Sequence, residues 1–570
     1  MKLAQKHKRA FLSDNFKVTD WESLKPYFEE LVGRDIDSVE ALQNWLLDRS
    51  ELESIVAEDA GWRYIRMTCD TTNNEYIEQY QYFIREIEPE TAPYANELNK
   101  KVLDSPYVRE LIDPAYTILL RGLEKEIRIY RKENIPIKTE IQSESQKFGS
   151  ISGAMTIEWE NQELTLQQAG VFLQSTERDI REKIYKKTSA RRFQDKDKLN
   201  DLYTNLIELR NKIAKNADFD NFRDYMFTAL GRFDYTPEDC FTFHDAVNKE
   251  LTPVLNEMAQ ERKSQLGIAN LRPWDKAVDA QNLPPLKPFD GGNDLLAKTI
   301  HCFEEIDNSL GEYLEIMKEM GHLDLESRKG KAPGGYNFPL AETGVPFIFM
   351  NATSTLRDMV TILHEGGHAV HSFVTKDLTL IDFRNPTSEV AELASMSMEL
   401  ISMDNWQVYF SNMDELNRAK RQHLEQIFET LPWVATIDKF QHWIYENPGH
   451  SLKDREINWL RIFEEFSDRI TDWTGLENHK SNIWQKQLHL YEVPFYYIEY
   501  GIAQLGAIAI WKKYNENPEK GLKAYLDALK LGYTRTIPEI YRTADIEFNF
   551  SHDYIHELMI FLRSEWEKVR

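Results

Sequence analysis

Apolar residues return every three or four positions through most of this chain of 570 residues, as Leu202, Leu206, Leu209 and Ile213 do in DLYTNLIELRNKIAK. That spacing gathers them on one face of a helix. Glycine (24) and proline (21), the residues that interrupt helices, are both scarce, below ordinary usage. The reading is therefore a mostly α fold, built from long helices around a deep core.

Two stretches depart from the helical period. MTIEWENQELTLQQAG (155–170) alternates around Glu-Asn-Gln, which predicts a β-hairpin near 155–166. GKAPGGYNF (330–338) is a Gly/Pro-rich loop, and GVPFIFMNAT (344–353) predicts a short apolar strand, Val345–Met350. The Pro-rich NLRPWDKAVDAQNLPPLKPFDGGND (270–294) predicts a long surface excursion between helices. We divide the chain into an N-terminal helical region, 1–195, which carries the hairpin, and a second region, 196–570, which carries the chemistry.

Charge excludes several partners. Lys+Arg number 69 against Asp+Glu 94, a net charge of -25, and such a surface repels phosphate backbones. Nucleic acid and anionic membranes are excluded on that ground. No apolar run reaches 18 residues; the nearest, GIAQLGAIAIW (501–511), is too short to span a bilayer. Cys69, Cys240 and Cys302 show no paired spacing, and the first residues lack an apolar signal core, so the expectation is a cytoplasmic protein.

Thr-Ile-Leu-His-Glu-Gly-Gly-His-Ala-Val-His (361–371) carries the strongest chemical signal. His364 and His368 stand at i and i+4, so one helix face presents both imidazoles to a single Zn²⁺. Glu365 is rotated by about 100° from His364, where its carboxylate can take a proton from water polarised by the metal. Glycines 366 and 367 each weaken a helix by about 1 kcal/mol relative to Ala, a cost that helix stability alone does not justify.

A catalytic zinc needs a third ligand and one open position. His371 would stretch the ligand set over ~10.5 Å of helix rise, too far to converge. The metzincin pattern fails as well, since it needs Gly at 371 and His at 374, where this chain has His371 and Val374. His371 is then a residue behind the ligands or within the core.

A carboxylate on a following helix, 386–403, is the better candidate, with Asn385 as cap and Pro386 in the first turn. Glu392 and Glu399 stand nearly aligned on that helix among Ala, Leu and Met. Glu392 suits the metal, and Glu399 suits a hydrogen bond to a ligating His. Glu389, near the helix start, suits the helix dipole. A second His-x3-His pair, His552 and His556, lacks a visible third ligand and is read as ordinary helix surface.

His-Glu-Gly-Gly-His-Ala-Val-His, followed by Glu392 in Val-Ala-Glu-Leu-Ala-Ser, resembles the thimet oligopeptidase, neurolysin and oligoendopeptidase F family, nearest its bacterial oligoendopeptidase F branch. The resemblance is specific over roughly 325–510. Where the family carries a bulky residue, this chain has Gly366. The resemblance implies a two-lobed, helical zincin-type metallopeptidase with a small β-sheet beside the active-site helix and a deep channel for short unstructured peptides. It implies one Zn²⁺ held by His364, His368 and Glu392, with Glu365 as general base.

It also implies that His489 and tyrosines of HLYEVPFYYIEY (489–500) bind the carbonyl and the oxyanion. Tyr497 and Tyr500, one turn apart, form the preferred pair, and Tyr496 is a further substrate contact. Gly334, Gly335 and Tyr336 in the Gly-rich loop, with the neighbouring strand, suit an extended peptide held by β-addition. The reading is a zinc-dependent endopeptidase, monomer or dimer. The alternatives are a metallocarboxypeptidase or dipeptidyl carboxypeptidase on the same scaffold, and a non-catalytic peptide-binding protein with a structural zinc.

Overall fold

A computed structural model describes residues 8–570. The chain is mostly α, as its periodicity predicts, and the helices bury one continuous core that runs from Ile129 to Trp566. A second cluster, Leu12 to Leu123, forms the N-terminal core and takes in Leu380 and Phe383 from far along the chain. The apolar run 501–511 lies in helix Tyr497–Glu516 and is buried along its whole length. Among the described residues, no helix is long and apolar enough to cross a membrane.

The predicted hairpin is present as Thr156–Trp159 paired antiparallel with Gln162–Thr165. Glu160 and Asn161 both take positive φ, 49° and 64°, which is what a two-residue hairpin turn of the twisted kind demands.

The second sheet has three strands where the sequence indicated one. Phe347–Ala352 is central, parallel to Leu323–Glu326 and antiparallel to Tyr336–Phe338. This corrects the β-addition expectation: the strand predicted at 345–350 is paired on both sides and buried, so Tyr336–Phe338 is the edge on its side of the sheet. The Pro-rich stretch also differs from a free excursion. Leu271, Trp274, Val278 and Phe289 are buried, and the buried Asp275 carboxylate accepts from Arg178 (2.8 Å) and Arg181 (3.0 Å).

Helix Val39–Cys69 backs the three-stranded sheet. The Phe338 ring fills the space where a Cβ at Gly61 would sit, 2.5 Å away. Thr68 Oγ1 lies 2.6 Å from the Tyr336 hydroxyl, and Ala332 N donates to the Thr68 carbonyl. Glu58 accepts from the backbone N–H of Glu342 and Thr343, and Ser50 and Ser54 accept from Ile381 N and Arg384.

Candidate metal centre

The motif lies on helix Leu356–Thr375, opened by a capping box between Thr355 and Asp358. Helix Ser388–Ile401 packs against it. The expected cap is corrected here: Thr387 precedes the helix, while Asn385 and Pro386 lie outside it after a short helix, Ile381–Arg384.

Gly367 permits the close approach of the two helices. A Cβ there would lie 2.6 Å from Ser395 Cα and 2.7 Å from the Ala394 carbonyl oxygen. Gly366 faces the buried Phe303, whose ring would stand 2.6 Å from an added Cβ. The Phe303 ring therefore fills the space beside Gly366.

The approach brings His364, His368 and Glu392 together, with ligand atoms within 4.8 Å of one another. Glu392 Oε2 lies 3.2 Å from His364 Nε2 and 3.7 Å from His368 Nε2. Behind them, His364 Nδ1 donates to Glu399 Oε1 at 2.6 Å, which turns Nε2 toward the cluster. His423, from helix Met413–Glu446, stands 3.6 Å from the other Glu399 oxygen. The sequence offered no signal for His423, because it comes from a third helix.

Electrostatics favour a cation at this point. Burial opposes charge on His364, yet hydrogen bonds to Glu392 and Glu399 raise its pKa well above the ordinary value. Burial acts to raise the Glu392 carboxyl, but the hydrogen bond from His364 and the two nearby imidazoles hold it at about 2. Burial lowers His368 to about 4, leaving the neutral imidazole that metals bind. Burial, with Glu392 and Glu399 nearby, pushes Glu365 up to about 7. Two imidazoles, one carboxylate and a carboxylate behind a ligand fit Zn²⁺ in kind and number.

His371 lies apart from this cluster. It is buried, with its pKa pushed down to about 3 by burial, and sits within the core. Glu389 is more than a dipole partner: it is buried and accepts from the Tyr235 hydroxyl at 2.6 Å. His552 and His556 both reach Glu250 at 2.7 Å, a carboxylate on helix Pro237–Gln265.

The C-terminal aromatic residues reach the cluster in a different order from the one expected. Tyr496 donates its hydroxyl to Glu392 Oε1 at 2.8 Å. The Tyr500 hydroxyl lies 3.5 Å from His489 Nε2. Tyr497 is one step back: its ring meets His489 edge-on at 4.8 Å, and its hydroxyl interacts with Trp433 and Gln487.

Gln487 also sets the His489 tautomer. Trp433 Nε1 donates to Gln487 Oε1, so the Gln487 amide group donates to His489 Nδ1 at 2.8 Å. Nε2 then carries the ring proton and presents it on the Tyr500 side. Phe495, just before Tyr496, holds φ 68° in the left-handed region. Gln441 accepts from its N–H at 2.7 Å, and Arg232 donates both to its carbonyl and to Glu499. Those contacts aim Tyr496 at Glu392.

In the Gly-rich loop, the Tyr336 side chain is spent on packing. It stacks on Phe349 with centroids 4.8 Å apart, and its hydroxyl pairs with Thr68. Gly334 takes φ 101° with open space where a Cβ would be, and Gly335 runs beside Thr361 of the motif helix. Asn337 ties the edge strand to that helix by donating to the Glu365 carbonyl at 3.1 Å.

Known proteins place this arrangement. A model of "Peptidase family M3" matches residues 171–560, and one of the "Peptidase M3 N-terminal domain" matches 11–130. An oligoendopeptidase F homolog of Lactococcus lactis subsp. lactis is 25% identical over 379 residues, 65% of this chain and 60% of that protein. One from Borreliella burgdorferi is 24% identical over 374 residues, 64% of this chain and 60% of that protein. The chain's match thus spans 60% of these relatives' length. The solved structure of Pz peptidase A with an inhibitor superposes with TM-score 0.91 at 25% identity, covering 98% of this chain and 99% of that one. With its family match spanning more than half of its length, the chain belongs to peptidase family M3.

Proposed function

We propose that this chain is a zinc-dependent endopeptidase that cuts internal bonds of short oligopeptides. The observation that carries the reading is the convergence of His364, His368 and Glu392 with the buried Glu365 beside them. His364, His368 and Glu392 would hold one Zn²⁺. When bound, zinc acts as a Lewis acid that polarises a carbonyl and lowers the pKa of water.

The chain's own groups do the rest. Glu365 takes a proton from the attacking water and delivers it to the leaving amine. Tyr500 and the Nε2–H of His489 are the donors available to the developing oxyanion, and Tyr496 holds Glu392. Tyr497 packs against the His489 ring in a T-shaped contact. Gly334 and Gly335 leave backbone accessible beside the motif helix, where an extended peptide can lie without its side chains being read closely. Glu399 orients His364.

The test is cleavage of internally quenched peptides of graded length, with and without a chelator. Chelator-sensitive cleavage that persists when the peptide C-terminus is amidated supports an endopeptidase. Loss of cleavage on amidation indicates a carboxypeptidase. Glu365→Gln should keep its zinc and lose turnover by orders of magnitude; a metal-loaded variant that still turns over at the normal rate refutes the assigned base.

A further inference from the structure

A second group of potential ligands lies away from the motif helix, buried between two long helices. Helix Pro237–Gln265 carries Cys240 and His244, and helix Met413–Glu446 carries Asp438 and His442. Each pair is spaced i, i+4, so each helix points two donors at the other, an arrangement that builds metal sites inside helical bundles. Cys240, Asp438 and His442 bring their ligand atoms within 4.8 Å of one another. All four side chains are buried, none more than 1% exposed as a residue.

The hydrogen bonding of this group is incomplete. His244 Nε2 lies 2.9 Å from Asp438 Oδ2, and His442 Nε2 is 3.3 Å from the same oxygen. Among the described residues, Asp438 Oδ1, His442 Nδ1 and His244 Nδ1 have no hydrogen-bond partner, and His442 Nε2 has only its 3.3 Å contact with Asp438. Buried polar atoms are nearly always partnered, because an unpartnered one costs about 1–3 kcal/mol. The cluster therefore keeps unused lone pairs on the carboxylate and on both imidazoles.

The Asp438 carboxylate is fully buried, and its ion-pair partners are the imidazoles of His244 and His442. A dication would balance the Asp438 carboxylate and a Cys240 thiolate together, the thiol proton leaving to solvent on binding.

We propose that Cys240, Asp438 and His442 form a second, structural metal site for a thiolate-tolerant dication of the zinc class, with His244 hydrogen-bonded to the Asp438 carboxylate. Thiolate, imidazole and carboxylate together select such an ion over calcium or magnesium. Tetrahedral coordination needs ligand atoms about 3.3–3.7 Å apart, so side-chain movements of about an ångström bring the three ligands into place and leave the fourth position to a water. The site would brace the segment behind Tyr496, since the His442 ring packs edge-on against Phe495 at 5.4 Å. It is independent of the proposed catalysis and raises the expected metal content from one ion to two.

The experiment is cobalt replacement in the full chain. The motif cluster contains no sulfur, so a thiolate-to-cobalt charge-transfer band in the near ultraviolet reports the second site alone. The expected results are two cobalt ions per wild-type chain with that band, and one ion with the band retained in His364→Ala/His368→Ala. Cys240→Ser should lose the band and one ion. One ion per wild-type chain, or no thiolate band, overturns the proposal. The wild-type and double-variant spectra decide it even if Cys240→Ser fails to fold.

Discussion

Replacing Gly367 by alanine sets two effects against each other. In an isolated helix, alanine stabilises by about 1 kcal/mol relative to glycine. Here the new Cβ would stand 2.6 Å from Ser395 Cα and 2.7 Å from the Ala394 carbonyl oxygen, both backbone atoms of the Glu392 helix. Ordinary contact begins near about 3.4 Å, so the helices must part by about 0.8 Å, at a cost of about 1–3 kcal/mol.

The net loss of stability is then about 0–2 kcal/mol. For a chain this long, with an unfolding entropy of about 1.2 kcal/mol/K, the melting temperature moves by only about 2 °C. Metal affinity responds far more, because His364 and His368 ride on one helix and Glu392 on the other. Ligand distances tolerate only about 0.2 Å, so we expect zinc affinity to fall on the order of 10–100-fold, as when a ligand loses its orienting partner.

Competition against a chelator of known affinity measures the change, with Gly366→Ala as the control. Its Cβ meets the Phe303 ring, a side chain, so Phe303→Leu should relieve Gly366→Ala and leave Gly367→Ala unrelieved. A Gly367→Ala protein with a raised melting temperature and unchanged zinc affinity would refute the close-approach argument.

Further outcomes follow from the contacts described above. Glu399→Ala should weaken zinc binding about 10–100-fold without touching the metal itself, read by the same competition; unchanged affinity would show that His364 needs no orienting partner. Tyr496→Phe should lower kcat with zinc content intact, and Tyr497→Phe should lower it less. Tyr336→Phe should leave kcat alone and cost about 0.5–1.5 kcal/mol of stability through its lost Thr68 hydrogen bond; a kcat loss in Tyr336→Phe larger than in Tyr496→Phe reverses the assignment. Asp275→Asn should destabilise by about 3 kcal/mol at pH 7 in urea unfolding, because it leaves the buried Arg181 without its anion.

The sign of the Asp275 effect with pH is fixed by its partners. Burial acts to raise its pKa, but hydrogen bonds from Arg178 and Arg181 bring it below the ordinary value. The stabilisation is therefore complete above about pH 4 and is lost as pH falls through the native pKa. Wild type should lose its advantage over Asp275→Asn in that acid range; a difference that stays constant through it would contradict the pairing.

Local chemistry was legible in the sequence wherever one element carried it. The hairpin was readable because Glu160 and Asn161 lie between alternating residues, and the His pair because both members share one helix face. Glu392 and Glu399 could be named because burying them without partners is costly. Whatever depends on a second element was not readable. Leu323–Glu326 is a strand only because Phe347–Ala352 lies beside it. His423 meets Glu399 from another helix.

The tyrosines show the limit most clearly. Helical spacing favoured Tyr497 with Tyr500, yet the left-handed Phe495, held by Gln441 and Arg232, swings Tyr496 onto Glu392 instead. A backbone φ imposed by distant side chains leaves no local pattern. The same holds for Trp274 and Asp275, which a Pro-rich stretch suggested would be solvated and which packing buries.

Helix Val39–Cys69 has a consequence for exchanging segments between relatives. Its inner face is matched to positions about three hundred residues away: Gly61 to Phe338, Thr68 to Tyr336, Glu58 to Thr343, Ser54 to Arg384. A chimera that takes its first 130 residues from another member of the family inherits one half of each pair without the other. Crossovers that instead carry 323–384 along with the N-terminal segment keep these contacts together, so recombination here should follow spatial neighbours rather than the linear boundary.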